Sequence, residues 1–519
     1  MFLYICIEII CTRQFEYKYS LRPFALSLHK FIIYYLTVMG QLVGRAKEQA
    51  LLRKYIESNR SEFIAIYGRR RVGKTFLVTE TLGKSIDFDM TGVIDGSKED
   101  QMLSFCISLS QCGYTGKRPK SWYDAFEALK EVVENKSAQQ AVIIFIDELP
   151  CLDTPRSGLI KALDLFWNGW ANRRGNVKLI VCGSATTWIV DNIIDNHGGL
   201  HNRITHEMHI HPFTLCETEE YLKHNNFKWN RMTVSQTYMI LGGIPYYLSL
   251  LDNEASLPAN VDRLFFSRDA ELRKENERLF RALFRNPQPY MEIIQLLAEH
   301  KKGLTRAEIT EKLKKETGGY LSKLLGNLEN CDFIRKYNVR ERKINSNNGI
   351  YQLTDFYIHF YNDFCRRHST DEHFWQNSVN TPKQNTWFGL AYERLCMAHI
   401  PQIKKALGID RIRTEYYSWR SKESKPAAQV DLIIERADQI ISLCEIKYSR
   451  AQYSIDAKEE ERLRNRLVDF AEETKVREAV QLVMITTYGL KENTHSSEVN
   501  DKLVMDDLFY EPKFRSILV

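Results

Sequence analysis

The octet Gly68-Arg69-Arg70-Arg71-Val72-Gly73-Lys74-Thr75 combines two glycines with a lysine and a hydroxyl in G-x-x-x-x-G-K-[ST] order. Such a run lets backbone N–H groups curl around phosphate oxygens. The lysine then reaches the β- and γ-phosphates, and the threonine hydroxyl faces Mg²⁺. Three consecutive arginines add positive charge on or near the loop. Downstream, the apolar run AVIIFI ends in Asp147-Glu148. A carboxylate at the end of a buried strand needs a partner. A magnesium ion shared with Thr75 supplies one for Asp147, leaving Glu148 to orient and deprotonate an attacking water. A further strand from Val177 ends at Gly183-Ser184, where Ser184 or Thr186 is expected to sense the γ-phosphate or to serve as an ordinary turn residue.

A second group of reactive side chains lies near the C-terminus. Asp431 opens the strand-like run AAQVDLIIE, and Glu445 and Lys447 share one side of the run QIISLCEIKYS. Glu393 sits upstream on a helical stretch, WFGLAYERLCMAHI. Carboxylates converging from paired strands make an oxygen-rich site suited to Mg²⁺, and a neighbouring lysine can orient or activate water for attack on a phosphodiester. The bland alternative is a surface ladder of charges. The apolar neighbours of Glu445 argue against it, because an unpaired carboxylate on a central strand is costly.

The elements that must hold these groups are legible around them. FIAIY at 63–67 reads as a buried parallel strand and FLVTETL, after the loop, as a helix. Before the loop, Val43-Gly44-Arg45 precedes an amphipathic helix with Leu51, Leu52, Tyr55 and Ile56 on its apolar stripe. At 238–250, Gly242 and Gly243 should break one helix and Pro245 begin another. These features together resemble the AAA+ class of P-loop ATPases, in particular its STAND-like, archaeal-type branch. The resemblance implies that Val43, Gly44, Arg45, Gly68, Arg69, Arg70, Arg71, Val72, Gly73, Lys74, Thr75, Phe76 and Ser184 bind ATP, with adenine against the V-G-R helix. It also implies that Gly243 and Pro245 couple the nucleotide to a helical lid. Arg203 and the pair Pro212-Phe213 match family positions. Arg173 and Arg174 lie where relatives supply an arginine to a neighbouring subunit, or are simple loop charges.

Residues 289–339 have the rhythm of three helices and a hairpin. Thr305 and Glu308 form a capping box, and Leu321, Leu324, Leu325 and Leu328 line the buried side of the third helix, with Ser322, Lys323 and Asn327 facing outward. This is the layout of a winged helix-turn-helix, whose third helix either enters a DNA groove or packs against the ATPase. The spacing D-x13-ExK with an upstream helical glutamate resembles the PD-(D/E)XK nucleases, with Val430 in place of the proline before Asp431. The whole order looks like the prokaryotic ATPases that join an AAA+ module to a nuclease-related C-terminal domain of undefined function.

The 519 residues carry 72 Lys and Arg against 66 Asp and Glu, so the excess of +6 permits nucleic acid without demanding it. Between 401 and 430, 7 basic and 3 acidic residues interleave with Tyr416, Tyr417 and Trp419, a surface suited to a nucleic-acid backbone or, for the aromatics, a core. The 11 cysteines include no CxxC pair, which removes zinc-ribbon and thioredoxin-like sites and fits a reducing, cytoplasmic setting. His197, His201, His206, His209 and His211 follow no established ligand spacing and read as surface or packing residues. The apolar runs before Met39 are too short to span a membrane, and residues 1–38 read as an upstream translation artefact or a loosely attached extension. We therefore expect an α/β chain with an AAA+ core at 39–240 and a lid and linker at 241–288. A winged helix should follow at 289–365 and a nuclease-like domain at 385–519. The expected partners are ATP, Mg²⁺, double-stranded DNA, and a second copy or a regulatory protein, with no membrane. The expected activity is an ATP-driven switch coupled to a DNA-binding domain that is either a metal-dependent nuclease or a vestigial one.

Overall fold

The computed structural model describes residues 42–136, 140–195, 199–200, 202–313, 319–337, 349–366, 371–421 and 429–511. The expectations for residues 1–38, for His197 and His201, and for the tip of the hairpin after Tyr337 lie outside the described residues.

Continuous apolar runs become strands covered on both faces. β1 (Glu62–Tyr67), β2 (Ile86–Thr91), β3 (Val142–Asp147), β4 (Val177–Gly183) and β5 (His206–His209) pair in parallel in the order β2-β3-β4-β1-β5. β1, β3 and β4 are buried almost throughout. The helices Lys98–Gln111, Trp122–Glu134 and Leu159–Phe166 cover one face with a core built on Phe105, Trp122, Phe126 and Phe166. The sequence reading counts three strands up to Gly183, but the structure has four. β2 is an edge strand whose run IDFDMT carries two aspartates and no continuous apolar signal. Because β1, β3 and β4 are neighbours, their carboxyl ends bring the phosphate-loop octet, Asp147-Glu148 and Ser184 together.

The helix Arg231–Leu241 ends at Gly242 and Pro245 starts the next, as the glycine and proline chemistry requires. Gly243 packs backbone to backbone on Phe213, where an added Cβ would lie 2.1 Å from the Phe213 carbonyl oxygen. The helix Glu271–Leu283 follows. Helices Gln288–Glu299, Arg306–Leu313 and Gly319–Asn330 then stand beside a small antiparallel sheet. That sheet comprises β6 (Leu304–Thr305), β7 (Ile334–Tyr337) and β8 (Ile350–Leu353) in the order β6-β8-β7. Thr305 and Glu308 exchange the two capping hydrogen bonds at 2.7 and 3.3 Å. Leu321, Leu324, Leu325 and Leu328 are buried, but so is Asn327, contrary to expectation. Its amide donates to the Tyr290 hydroxyl at 2.7 Å, which removes it from any outward face.

The C-terminal segment builds a second five-stranded sheet, β13-β12-β11-β10-β9, from β9 (Thr414–Arg420), β10 (Gln429–Arg436), β11 (Ile440–Lys447), β12 (Ala479–Thr486) and β13 (Val499–Val504). β9, β10 and β11 are antiparallel, whereas β11, β12 and β13 are parallel. Helices Pro382–Ala398 and Ala457–Thr474 pack on it. Tyr417 and Trp419 belong to its core, so of the three aromatics proposed for base stacking only Tyr416 is exposed. Of the basic residues expected beside them, Lys422 and Lys425 lie outside the described residues. No helix among the described residues is long and apolar enough to cross a membrane.

Candidate functional site

The phosphate-loop octet runs from the end of β1 into the helix Lys74–Leu82. Gly68 adopts φ 143° because the Ile210 carbonyl lies where a Cβ would sit, 2.3 Å away. Lys74 is buried and donates to the Gly68 and Arg69 carbonyls at 3.0 and 3.1 Å, with Ser184 Oγ at 3.4 Å. An ammonium held on carbonyls of its own loop is poised to exchange them for phosphate oxygens. The Thr75 hydroxyl donates to Asp147 Oδ2 at 2.7 Å. Burial pushes the Asp147 carboxyl above its usual range, so a cation shared with Thr75 would relieve it. Glu148 has φ 47°, and Ser184 donates to both of its oxygens, from Oγ at 2.6 Å and from the backbone N–H at 3.0 Å. These residues could hold Mg²⁺ and a triphosphate, with the base candidate fixed by the neighbouring strand end.

Val43, Gly44 and Arg45 enter the helix Ala46–Ile56. The Arg45 backbone N–H donates to Glu217 Oε1 at 2.7 Å, and its guanidinium donates to the Val72 carbonyl at 3.2 Å and lies 4.7 Å from the Phe213 ring centre. The V-G-R segment, the loop and the Pro212-Phe213 turn thus meet at one arginine. Val72 is buried, whereas Arg70, Gly73 and Phe76 are half-buried and Thr75 is exposed.

Two of the three loop arginines are engaged by carboxylates from later segments. Arg69 is fully buried and pairs with Asp355 at 2.7 Å, between Tyr247 and Phe333. Arg71 forks onto Glu275 at 2.9 and 3.1 Å and stacks 3.8 Å from Tyr246. The positive charge expected at the loop is therefore neutralised by carboxylates from the helix Glu271–Leu283 and from the turn after β8. Arg174 is likewise used internally, donating to Asn176 Oδ1 and to the Val133 and Lys136 carbonyls, while Arg173 is exposed. The histidines acquire a partner the sequence does not reveal. His209 Nε2 and His211 Nδ1 lie 3.1 and 3.2 Å from one Asp332 oxygen. Asp332 adopts φ 59° directly after the helix Gly319–Asn330. On the same helix Lys323 approaches Asp191 at 3.4 Å.

In the C-terminal sheet, the register that pairs Leu432 with Cys444 continues to set Asp431 opposite Glu445. With Glu393 from the helix Pro382–Ala398 they line one cavity of about 740 Å³. Burial, reinforced by Asp431 and Glu445, raises the Glu393 carboxyl to about 8. Burial and Glu445 also raise Asp431, even though Gln429 donates to it at 2.7 Å. Three carboxylates crowded into one cavity, Glu445 buried and Glu393 and Asp431 half-buried, are what a divalent cation relieves. Lys447 Nζ lies 2.7 Å from Glu445 and 3.5 Å from Glu459. Arg466 also bonds Glu445, a contact the sequence reading missed because the helix Ala457–Thr474 carries alternating charges that read as solvent-facing.

Residues 42–251 match the family model described as an ATPase domain predominantly from Archaea. These residues are a P-loop ATPase domain. The chain is accordingly an ATP-hydrolysing enzyme. A protein of Methanocaldococcus jannaschii, the uncharacterised MJECL04, is 25% identical over 368 residues, covering 70% of this chain and 78% of that one. Among solved structures, the Walker-type ATPase PABY2304 of Pyrococcus abyssi is 20% identical with a TM-score of 0.45, over 62% of this chain and 96% of that one. The Aeropyrum pernix ORC2 protein is 13% identical with a TM-score of 0.40, over 66% and 96%. The ATPase domain ends, on this match, before the three-helix segment and the second sheet begin.

Proposed function

We propose that the chain is a Mg²⁺-dependent ATP switch that controls a DNA-binding, metal-dependent nuclease domain. In the ATPase domain, Lys74 and the loop N–H groups hold the β- and γ-phosphates, Thr75 and Asp147 hold the cation, and Glu148 accepts the proton of the attacking water. The bound Mg²⁺ supplies charge neutralisation of the leaving phosphate. Ser184 orients Glu148 through its two hydrogen bonds. Residues 289–365 act as a winged helix and residues 385–511 as a PD-(D/E)XK nuclease-like domain. The observation that carries the nuclease half is the convergence of Glu393, Asp431 and Glu445 on one cavity beside Lys447. In that domain the three carboxylates hold the cation and Lys447 positions water against a phosphodiester of double-stranded DNA.

A second reading has its own support. Arg466 and Lys447 both engage Glu445, so the arrangement also suits a vestigial site in an ATP-switched DNA-binding or protein-interaction module. One preparation separates the two. Supercoiled DNA incubated with the full chain, ATP and Mg²⁺ or Mn²⁺ should be nicked, and Asp431→Ala and Lys447→Ala should each remove nicking while sparing a mobility shift. Binding with no cutting under every metal and nucleotide condition selects the vestigial reading. Lys74→Ala should abolish ATP binding, and Glu148→Gln should keep binding and lose turnover.

A further inference from the structure

The cavity that holds Glu393, Asp431 and Glu445 is not walled by the C-terminal sheet alone. Lys301, Lys302, Arg335, Tyr337 and Gln352 contribute a wall from the β6-β8-β7 segment. Arg335 leaves β7 toward the cavity and is held by Gln352, whose Oε1 accepts from its Nε at 3.1 Å. Gln352 is in turn anchored by donating to the Lys301 carbonyl at 2.9 Å. Arg394, which lines the same cavity, follows Glu393 on the helix Pro382–Ala398. It is only 7% exposed, and its Nε and Nη2 have no hydrogen-bond partner. Neither guanidinium has an ion pair with a carboxylate among the described residues.

Arg394 is a buried guanidinium with no ion pair, which is expensive, and the half-buried Arg335 adds a second positive charge to the same cavity. Their planar forks match the paired oxygens of a phosphate or a carboxylate, and a phosphodiester is the anion that the nuclease reading brings to this cavity. A cation on the three carboxylates would neutralise the acidic side of the cavity and leave these arginines, together with Lys302 and Lys458, as positive charge able to meet an anion. We propose that Arg335 and Arg394 form a phosphodiester-binding clamp, so that the three-helix segment completes the site of the C-terminal sheet. This rests on the nuclease reading for its ligand, a nucleic-acid backbone. Arg335 then has a role that differs from groove docking by the helix Gly319–Asn330, because it grips the strand at the reacting phosphate. Gln352 is the positioning residue that fixes the Arg335 fork.

The test uses the full chain saturated with ADP, in Ca²⁺, with a short fluorescein-labelled DNA duplex read by fluorescence anisotropy across a salt series. Arg335→Gln and Arg394→Gln should each weaken binding about tenfold or more and flatten the logarithmic salt dependence by about one phosphate contact. Arg335→Lys should restore part of the affinity, which a merely structural role would not allow. Thermal melting of each variant checks that it folds. If the wild type binds the duplex and both glutamine variants bind it equally well with the same salt slope, the clamp is overturned and the nuclease reading stands. If the wild type binds neither duplex nor single strand, the nuclease reading falls. The clamp must then still show itself with inorganic phosphate. Phosphate, at matched ionic strength with chloride, should raise the melting temperature of the ADP-saturated wild type and not that of either glutamine variant. Equal response of all three overturns it.

Discussion

Ser184 has the simplest geometry and the sharpest consequence of any single residue here. It grips both oxygens of Glu148 from the end of the neighbouring strand. Ser184→Ala removes the shorter of the two bonds while leaving the backbone one. ATP affinity should then stay within about threefold while turnover falls about tenfold to a hundredfold, as expected when a base loses its alignment. Measured nucleotide affinity and steady-state phosphate release would check the split, and a matching loss of affinity would remove Ser184 from this role. Arg69 is the opposite case, a charged residue whose work is structural. Asp355→Asn would strand its buried guanidinium and should cost about 3–5 kcal/mol in denaturant unfolding, whereas the double replacement Arg69→Met, Asp355→Leu should cost clearly less. The sequence points to Ser184 as a strand-tip hydroxyl, though for sensing the γ-phosphate and not for holding Glu148, and it hides the Arg69 role. Serine at a strand tip beside an acidic one is a local pattern, while Arg69 and Asp355 meet across 285 intervening positions that no spacing rule connects.

At the scale of elements, β5 and the helix Gly319–Asn330 are joined by His209, His211 and Asp332. Burial opposes ionisation of Asp332, but hydrogen bonds from the two imidazoles outweigh it and hold its carboxyl at about 2. The hydrogen bond to Asp332 raises His211 above the ordinary histidine value. A raised histidine stabilises fully below the unfolded value of about 6.5 and loses that contribution as pH rises through the folded one. The side chain of His211 is 60% exposed, so solvent screens the pair and the effect is small. The wild type should lose at most about 2 °C of melting temperature more than Asp332→Asn between about pH 6 and pH 8. Equal slopes for the two proteins would show that the contact carries no pH-dependent stability. This joint also explains why the ATPase core was legible and the packing of the third helix was not. The phosphate loop, the acidic strand end and the capping box are each written within a few residues. Asn327 carries a polar side chain whose partner, Tyr290, comes from a distant segment, so helical periodicity alone sends it outward, whereas Ser322 and Lys323 are exposed as periodicity expects.

Across the whole molecule, contacts from the later segments return to the ATPase domain at several points. The Arg69–Asp355 pair crosses from the loop to the segment after β8, and Gln236 donates to the Tyr448 hydroxyl at 2.9 Å. His399 Nδ1 donates to the Leu395 carbonyl at 2.8 Å, which leaves Nε2 to accept the Leu215 N–H at 3.0 Å. Burial lowers this imidazole to about 4, so it stays neutral and keeps its acceptor. Its contribution is present above about pH 6.5 and is lost as pH falls through about 4, where a second ring proton would face the Leu215 N–H. Amide hydrogen exchange at Leu215 should therefore be slow at neutral pH and accelerate more in His399→Ala than at the far end of the same helix. The buried Arg69 has a further consequence for inheritance by parts. Residues 42–251 are recognisable as a domain by descent, yet a polypeptide ending at 251 would leave behind both the counter-ion of Arg69 and the Phe333 ring that covers it, opening the domain's interior at that arginine. Such a fragment should be poorly soluble or melt well below the full chain, and co-expression of the remaining residues should rescue it. The boundary at which this protein can be recombined by evolution therefore lies beyond Asp355, about a hundred residues past the boundary at which it can be recognised.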